Sequence, residues 1–363
     1  MLGWPTVLEW RDFANHKEQT VASKLAEDPR IDPRIKAIFG GWEVRPLTNV
    51  ASREELIAIE NSDSGKAAAR VLKAFLSTCD DETVAPSTGL TIRNESVVSS
   101  PDGNKINIQF IRPNNSEALP CVYYIHGGGM YMMSCYEKNF QAWGKIIAAN
   151  GVAVAMVDFR NSISPSSVPE IAPFPAGLND CVSGLKWVRA NAEALHIDPK
   201  RIIIAGESGG GNLTLATGLK LKREGEIDLI KGLYVICPYI SGEWPLPQYP
   251  SSVENNGIFL ELHNNRGAMS YGIEEFRARN PLAWPAFARA ADVIGFPPTV
   301  ISVNECDPLR DEGINFYRLL MHNGVRTRCR QMMGMIHATE VFPIACPEIS
   351  HDTASDIANF CKG

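Results

Sequence analysis

The sequence contains no stretch of about 18 apolar residues, so no segment of it reads as a membrane-spanning helix. It has no run of basic residues with interleaved aromatics, and its 35 Lys and Arg are outnumbered by 41 Asp and Glu, a net charge of −6. A mildly acidic surface does not attract phosphate backbones or anionic lipid, which sets aside nucleic acid and membrane surfaces as partners. The nine cysteines are odd in number and form no Cys-x-x-Cys pair. That usage suits reduced, mostly buried thiols rather than a disulfide framework or a zinc site. Residues Met1 to Arg11 lack a basic region followed by a continuous apolar run, so no signal peptide is expected. Internal repeats and low-complexity tracts are missing as well. The expectation is a soluble cytoplasmic protein whose 363 residues suffice for one large core or two modest ones, at roughly 150 residues per domain.

The pattern that is present changes once along the chain. Over residues 1–90, Glu9 to Ala26, Arg53 to Ile59 and Lys66 to Leu76 read as short helices separated by Asp-Pro and Gly-Gly breaks, with no strand among them. This part is expected to be a helical extension contributing to a cap. From residue 91 onward the pattern is different: Lys105 to Arg112 alternates as a strand does, and short apolar runs recur at Cys121 to Ile125, Val152 to Val157, Ile202 to Ala205, Leu233 to Ile236 and Thr299 to Val303. Between them lie helical patterns at Asn139 to Ala149, Ala176 to Ala194, Leu213 to Arg223 and Gly313 to Asn323. Alternation of this kind predicts a mostly parallel α/β sheet with helices on both faces. Tyr239 to Phe296, rich in Pro, Asn, Gly and Trp, breaks the rhythm and reads as an insertion over the sheet.

Two glycine-rich motifs sit at the ends of predicted strands. Gly206-Glu207-Ser208-Gly209-Gly210 follows Ile202–Ala205 and precedes a helical pattern. Gly-x-Ser-x-Gly is weak alone, with about one chance match in six or seven such chains, but its strand-turn-helix context is the one a nucleophile needs. The turn is tight enough that its flanking positions tolerate little beyond hydrogen, and the helix N-terminus favours developing negative charge. A phosphate-cradling turn would call for Gly-Lys-Ser/Thr, where this chain has Gly211-Asn212-Leu213. His126-Gly127-Gly128-Gly129 directly follows Val122–Ile125. Consecutive glycines let backbone N–H groups approach a substrate closely, as an oxyanion requires. Gly128, Gly129 and Gly209 are the expected donors.

These residues resemble the hormone-sensitive-lipase-like branch of the α/β-hydrolases, the bacterial family IV esterases. The likeness runs from about Pro120 to His337. It is carried by His126-Gly-Gly-Gly129, Asp158-Phe-Arg160, Pro173-Phe-Pro-Ala176, Gly206-Glu-Ser-Gly-Gly210, Asn280-Pro-Leu-Ala-Trp-Pro285 and Asp307-Pro-Leu-Arg-Asp-Glu-Gly313. Departures from the family pattern are Glu207 and Gly209 where Asp and Ala are usual, Phe159 for Tyr, a longer Ser162–Ala172 segment, and Ala338-Thr339 after the histidine. The resemblance implies an α/β-hydrolase fold with a helical cap, the cap insertion falling at about 239–296 of a catalytic domain over 91–363. It also implies that Asp307 is the triad acid, with Asp311 and Glu305 as neighbouring surface carboxylates.

Three histidines follow Asp307. His322 sits late in a helix, and His351 opens the expected last helix. His337 follows a strand-then-loop context and matches the family position, which makes it the expected base. Ser208, Asp307 and His337 then form a triad that needs no metal or organic cofactor. The expected reaction is cleavage of carboxylic esters of short to medium acyl chains through an acyl-enzyme. An amidase, formamidase or lactonase would use the same triad, and a non-catalytic receptor on the same scaffold is the alternative of another class. Met130, Tyr131, Met133 and Met335 flank the motifs and are the expected pocket residues, because methionine adapts to irregular shapes. The expected partner is a small-molecule ester, and a homodimer is the modest expectation for assembly.

Overall fold

A computed structural model describes residues 23–363. The helix expected over Glu9 to Ala26 therefore falls largely outside the described residues, apart from a short helix α1 (Lys24–Glu27). Three more helices precede the sheet: α2 (Pro33–Phe39), α3 (Arg53–Asn61) and α4 (Asp63–Leu76). Each starts on a polar side chain that accepts a free N–H of the first turn: Asp32 for α2, Ser52 for α3 and Ser62 for α4.

The sheet has eight strands in the order β1-β2-β4-β3-β5-β6-β7-β8. They are β1 (Leu90–Val98), β2 (Lys105–Pro113), β3 (Leu119–Ile125), β4 (Ala153–Asp158), β5 (Ile197–Glu207), β6 (Gly232–Ile236), β7 (Thr299–Cys306) and β8 (Thr327–Ile336). β1 and β2 pair antiparallel, β2 also meets β4 antiparallel, and every other pairing is parallel. The central strands are buried along their whole length, as their unbroken apolar runs require. β1 was not among the expected strands. It is an edge strand carrying Arg93, Asn94 and Glu95, largely exposed, and has no apolar alternation to reveal it.

Alternate residues of the central strands feed two cores. Tyr123, Ile125, Ala155, Val157, Ile202 and Ile204 pack against α6 (Ala176–Ala190), α7 (Gly209–Arg223) and α8 (Arg310–His322). Val122, Tyr124, Val154, Met156, Ile203 and Ala205 pack against α5 (Lys138–Ala149) and α9 (Pro347–Lys362). The last helix begins at Pro347, so His351 lies in its second turn rather than at its start. Helix α6 stops at Ala190 instead of running to Ala194, and a separate short helix, Ala192–Leu195, follows it.

Strand register decides which residues meet at the carboxyl edge. Ile125 is paired with Gly206, so the His126 loop leaves the sheet beside Glu207 and Ser208. Glu207 is paired with Ile236, which brings Cys237 alongside Ser208. Cys306 is paired with Ile336, which sets Asp307 next to His337. The segment 239–296 and the helices over residues 24–76 cross this edge and meet each other. Asn265 exchanges hydrogen bonds with the Val50 backbone at 2.9 and 2.8 Å, and the Lys24 ammonium donates to the carbonyls of Glu254 and Asn256. Among the described residues no helix is long and apolar enough to cross a membrane.

Candidate active site

Ser208 sits between β5 and α7 with φ 57° and ψ −119°, a conformation an L-residue adopts only under tertiary constraint. The constraint is visible in its neighbours. Its N–H donates to the Ile236 carbonyl at 2.9 Å. A Cβ at Gly206 would lie 2.5 Å from the Gly210 carbonyl oxygen, and one at Gly210 would lie 2.0 Å from that of Ile125. The turn therefore admits only glycine at both positions, and it holds Ser208 clear at the N-terminus of α7.

Gly128 and Gly129 adopt φ of 95° and 64°. Their N–H groups and that of Gly209 donate to no atom of the described residues. Gly209 lies against this loop: a Cβ there would come within 2.6 Å of the Met130 nitrogen and 2.7 Å of the Gly129 nitrogen. Glycine in place of the alanine usual in the resembling family thus lets the loop close more tightly on the elbow. The glycine loop and the elbow thus meet at one cavity beside Ser208.

Two further strand ends bring Asp307 and His337 together. His337 Nδ1 lies 2.8 Å from Asp307 Oδ2, with Asp307 fully buried and His337 nearly so. The other carboxylate oxygen of Asp307 accepts the Leu309 N–H at 2.9 Å, and Asn255 holds the Asp307 carbonyl at 3.1 Å. Those bonds orient the carboxylate, and the carboxylate fixes the imidazole with Nδ1 protonated and Nε2 available as acceptor. Asn304 fastens the turn that carries His337 by donating to the Ile336 carbonyl at 2.7 Å and to Glu340 at 3.0 Å. Glu340 is buried, and burial pushes its carboxyl above the usual range.

Sequence reading missed Glu207. It occupies the variable position of Gly-x-Ser-x-Gly, yet its buried carboxylate ties three elements together. One oxygen accepts the Gly127 N–H, and the other accepts the Tyr124 hydroxyl. Burial raises its pKa to about 8, against the pull of those two donors. The side chain thus clamps the glycine loop to the elbow from behind. The only advance signal was a carboxylate in an otherwise apolar strand-to-turn stretch.

Other motif residues prove to be pins. Phe159 stacks on the imidazole of His126 with centroids 4.4 Å apart. Arg160 grips Asp180 with two bonds of 2.8 and 2.9 Å, and Ser99 donates to the same carboxylate. Asp158 accepts the N–H of Cys135 and of Ser167, holding both ends of the segment around the loop.

Ser208 and His337 line one cavity of about 490 Å³ together with Gly128, Gly129 and Glu207. Of the expected pocket residues, Tyr131 and Met133 line it, joined by Met132. Met130 and Met335 do not. Met130, at φ 57°, turns into the core around α6 and α7, and Met335 points into the opposite core from the buried end of β8. Phe140, Phe259, Phe342 and Val341 give the cavity apolar lining, and Glu60, Glu261 and Arg266 add charged groups to it. The Tyr131 hydroxyl donates to Glu60 at 2.6 Å, linking α3 to the loop that follows the glycines.

Residues 122–341 match the alpha/beta hydrolase fold family. The esterase Est22 has a structure that superposes with a TM-score of 0.91 at 64% identity, covering 94% of this chain and 100% of that one. Another Est22 structure contains p-nitrophenol. Brefeldin A esterase, a bacterial homologue of human hormone-sensitive lipase, superposes with a TM-score of 0.80 at 33% identity, covering 94% and 98%. The carboxylesterase NlhH of Mycobacterium tuberculosis is 28% identical over 240 residues, 66% of this chain and 72% of its own.

Proposed function

The chain belongs to the hormone-sensitive-lipase-like branch of the alpha/beta hydrolases, and from that premise we propose that it cleaves small and medium carboxylic esters with Ser208 as nucleophile, His337 as base and Asp307 as the acid. It is a carboxylesterase. The observation that carries the residue assignment is the meeting of four strand ends at one cavity: the elbow of β5, the glycine loop of β3, and the Asp307–His337 pair from β7 and β8.

In this mechanism Nε2 of His337 takes the proton of Ser208 as its oxygen attacks the ester carbonyl. Asp307 keeps the Nδ1 proton in place and steadies the imidazolium. The N–H groups of Gly128, Gly129 and Gly209 receive the oxyanion without reorganising, because the loop is already clamped by Glu207. The alcohol departs with the proton from His337, and water then cleaves the acyl-enzyme by the same steps in reverse. The helices over residues 24–76 and the 239–296 insertion act as a cap that sets substrate size. A cytoplasmic location is supported by the nine free cysteines, eight of them buried.

The test is hydrolysis of p-nitrophenyl esters from acetate to palmitate by wild type and Ser208→Ala. We expect turnover of the shorter esters and a loss of about 10⁴-fold or more in the variant. Retention of wild-type rates by Ser208→Ala would remove Ser208 from the mechanism. Inactivity of both proteins toward esters, amides and lactones would favour a receptor.

A further inference from the structure

The proposed reaction leaves one group beside the triad without a role. Cys237 directly follows β6 in a left-handed conformation, φ 42°, with its N–H donated to the Ser302 carbonyl at 2.8 Å. That backbone turn directs the thiol at the acid-base pair. The Cys237 sulfur, a carboxylate oxygen of Asp307 and a ring nitrogen of His337 all lie within 4.8 Å of one another, and all three residues are buried. Burial, with the Asp307 and Glu340 carboxylates nearby, keeps the thiol protonated and far above its ordinary range.

A sulfur, an imidazole nitrogen and a carboxylate oxygen are the donors that Zn²⁺ and the softer Cd²⁺ select. Bond lengths of about 2.0–2.3 Å in a tetrahedral site put neighbouring donors roughly 3.3–3.7 Å apart. Nδ1 and Oδ2, now 2.8 Å apart, need to open by only about 0.5 Å to reach the lower end of that spacing. Of the three residues, His337 also lines the cavity.

We propose that Cys237, Asp307 and His337 form a three-ligand site for a thiophilic dication, and that its occupation switches the esterase off. The reason is tautomeric. An ion bound through Nδ1 displaces the proton that Asp307 holds there, and the neutral ring then carries its proton on Nε2. That is the nitrogen which must be empty to accept the proton of Ser208. The thiol releases one proton to solvent, the ring keeps one, and Asp307 changes only its partner. The ion is an inhibitor of this site and takes no part in the reaction. The loss of activity rests on the triad assigned above, whereas the binding itself does not.

Cadmium is the probe. In full-length wild type, one equivalent of Cd²⁺ is expected to produce an ultraviolet thiolate-to-cadmium absorption band and to inhibit p-nitrophenyl ester hydrolysis at least about tenfold, reversibly with EDTA. Cys237→Ser is expected to lose the band and to need at least about tenfold more cadmium for half-inhibition, each rate being taken relative to the same protein without the ion. Equal sensitivity of the variant, or inhibition of wild type without the band, overturns the proposal. Should Cys237→Ser fail to fold, ¹¹³Cd NMR of ¹⁵N-histidine-labelled wild type decides: coupling of the ion to Nδ1 of one histidine supports the site, and its absence overturns it. Ser208→Ala separates the two readings, because it should bind cadmium as wild type does whatever its activity.

Discussion

The two ends of the substrate cavity are built in different ways. At the catalytic end the geometry comes from backbone: glycine turns end β3 and β5, whose register is fixed on both sides, with glycines where a Cβ would collide with a neighbouring carbonyl, and Asp307 and His337 join them from β7 and the edge strand β8. At the cap end it comes from side chains that join segments more than 200 residues apart. Asn265 reaches Val50, Arg266 reaches the Thr48 carbonyl at 2.9 Å, and Lys24 reaches Glu254. The small apolar cluster there holds only Val50, Leu56 and Ile163 as buried members. A backbone-built end resists change and serves a chemistry that tolerates little displacement. A side-chain-built end can vary in shape with the substrate while the reaction stays the same.

That contrast is open to attack at several points. The most damaging test is Glu207→Ala, which frees the Gly127 N–H and the Tyr124 hydroxyl in a buried setting. We expect kcat to fall about 10- to 100-fold with KM changed less than about threefold, and partial recovery in Glu207→Gln. A change confined to KM would mean that the clamp shapes the pocket rather than positions the oxyanion donors.

Next in size is a pH effect on stability. Glu312 on α8 accepts the N–H groups of Ile240 and Ser241 and the indole N–H of Trp244, anchoring the start of the insertion. Burial raises its pKa to about 8, as it does for Glu207. Free in the unfolded chain, such a group titrates near 4.3. Between these values the folded protein binds the extra proton, so stability is highest below about pH 4.5 as far as these groups decide it, and falls as pH rises toward 8. Urea unfolding at pH 5 and pH 8 should show wild type losing about 1–3 kcal/mol more than Glu312→Gln over that interval. Parallel losses in the two proteins would show that the carboxyl of Glu312 is already ionised at the lower pH.

At the cap end, Asn265→Ala removes two hydrogen bonds to residue 50. The expected result is a loss of about 1–2 kcal/mol in thermal or urea unfolding and a severalfold rise in KM, with kcat nearly constant. A fall in kcat as large as that of Glu207→Ala would abolish the distinction between the ends. The smallest effect belongs to Met133→Ala, which should shift the preferred acyl length by about a few carbons through added cavity volume. An unaltered preference across the ester series would take Met133 out of the acyl wall.

The same division governs what could be read in advance. The strands β2 to β7 announce themselves by apolar runs or alternation, since most of their residues are buried, those of β3, β4 and β6 throughout. β1 does not, because an exposed edge strand has no core to write an apolar pattern. The glycine loop and the elbow were recognisable because steric exclusion acts over a few consecutive residues. Glu207 was hidden because its partners, Tyr124 and Gly127, lie 83 and 80 residues away and meet it only through the pairing of Ile125 with Gly206. Met130 and Met335 were misplaced for a similar reason. A methionine next to a motif can turn toward cavity or core, and the local backbone angle and strand end decided for core.

The sequence by itself therefore determined the sheet class and the two turns that bear chemistry. The chain order of the proposed nucleophile Ser208, acid Asp307 and base His337 was legible there too. Short-range sterics and unbroken apolar runs are sufficient for that. Only the tertiary structure decided which oxygen of Asp307 faces His337, what holds the glycine loop, which residues wall the cavity, and that a thiol lies beside the acid-base pair. Those are contacts between strand ends and cap segments distant in the chain, and they exist only once register and packing have brought them within a few ångströms.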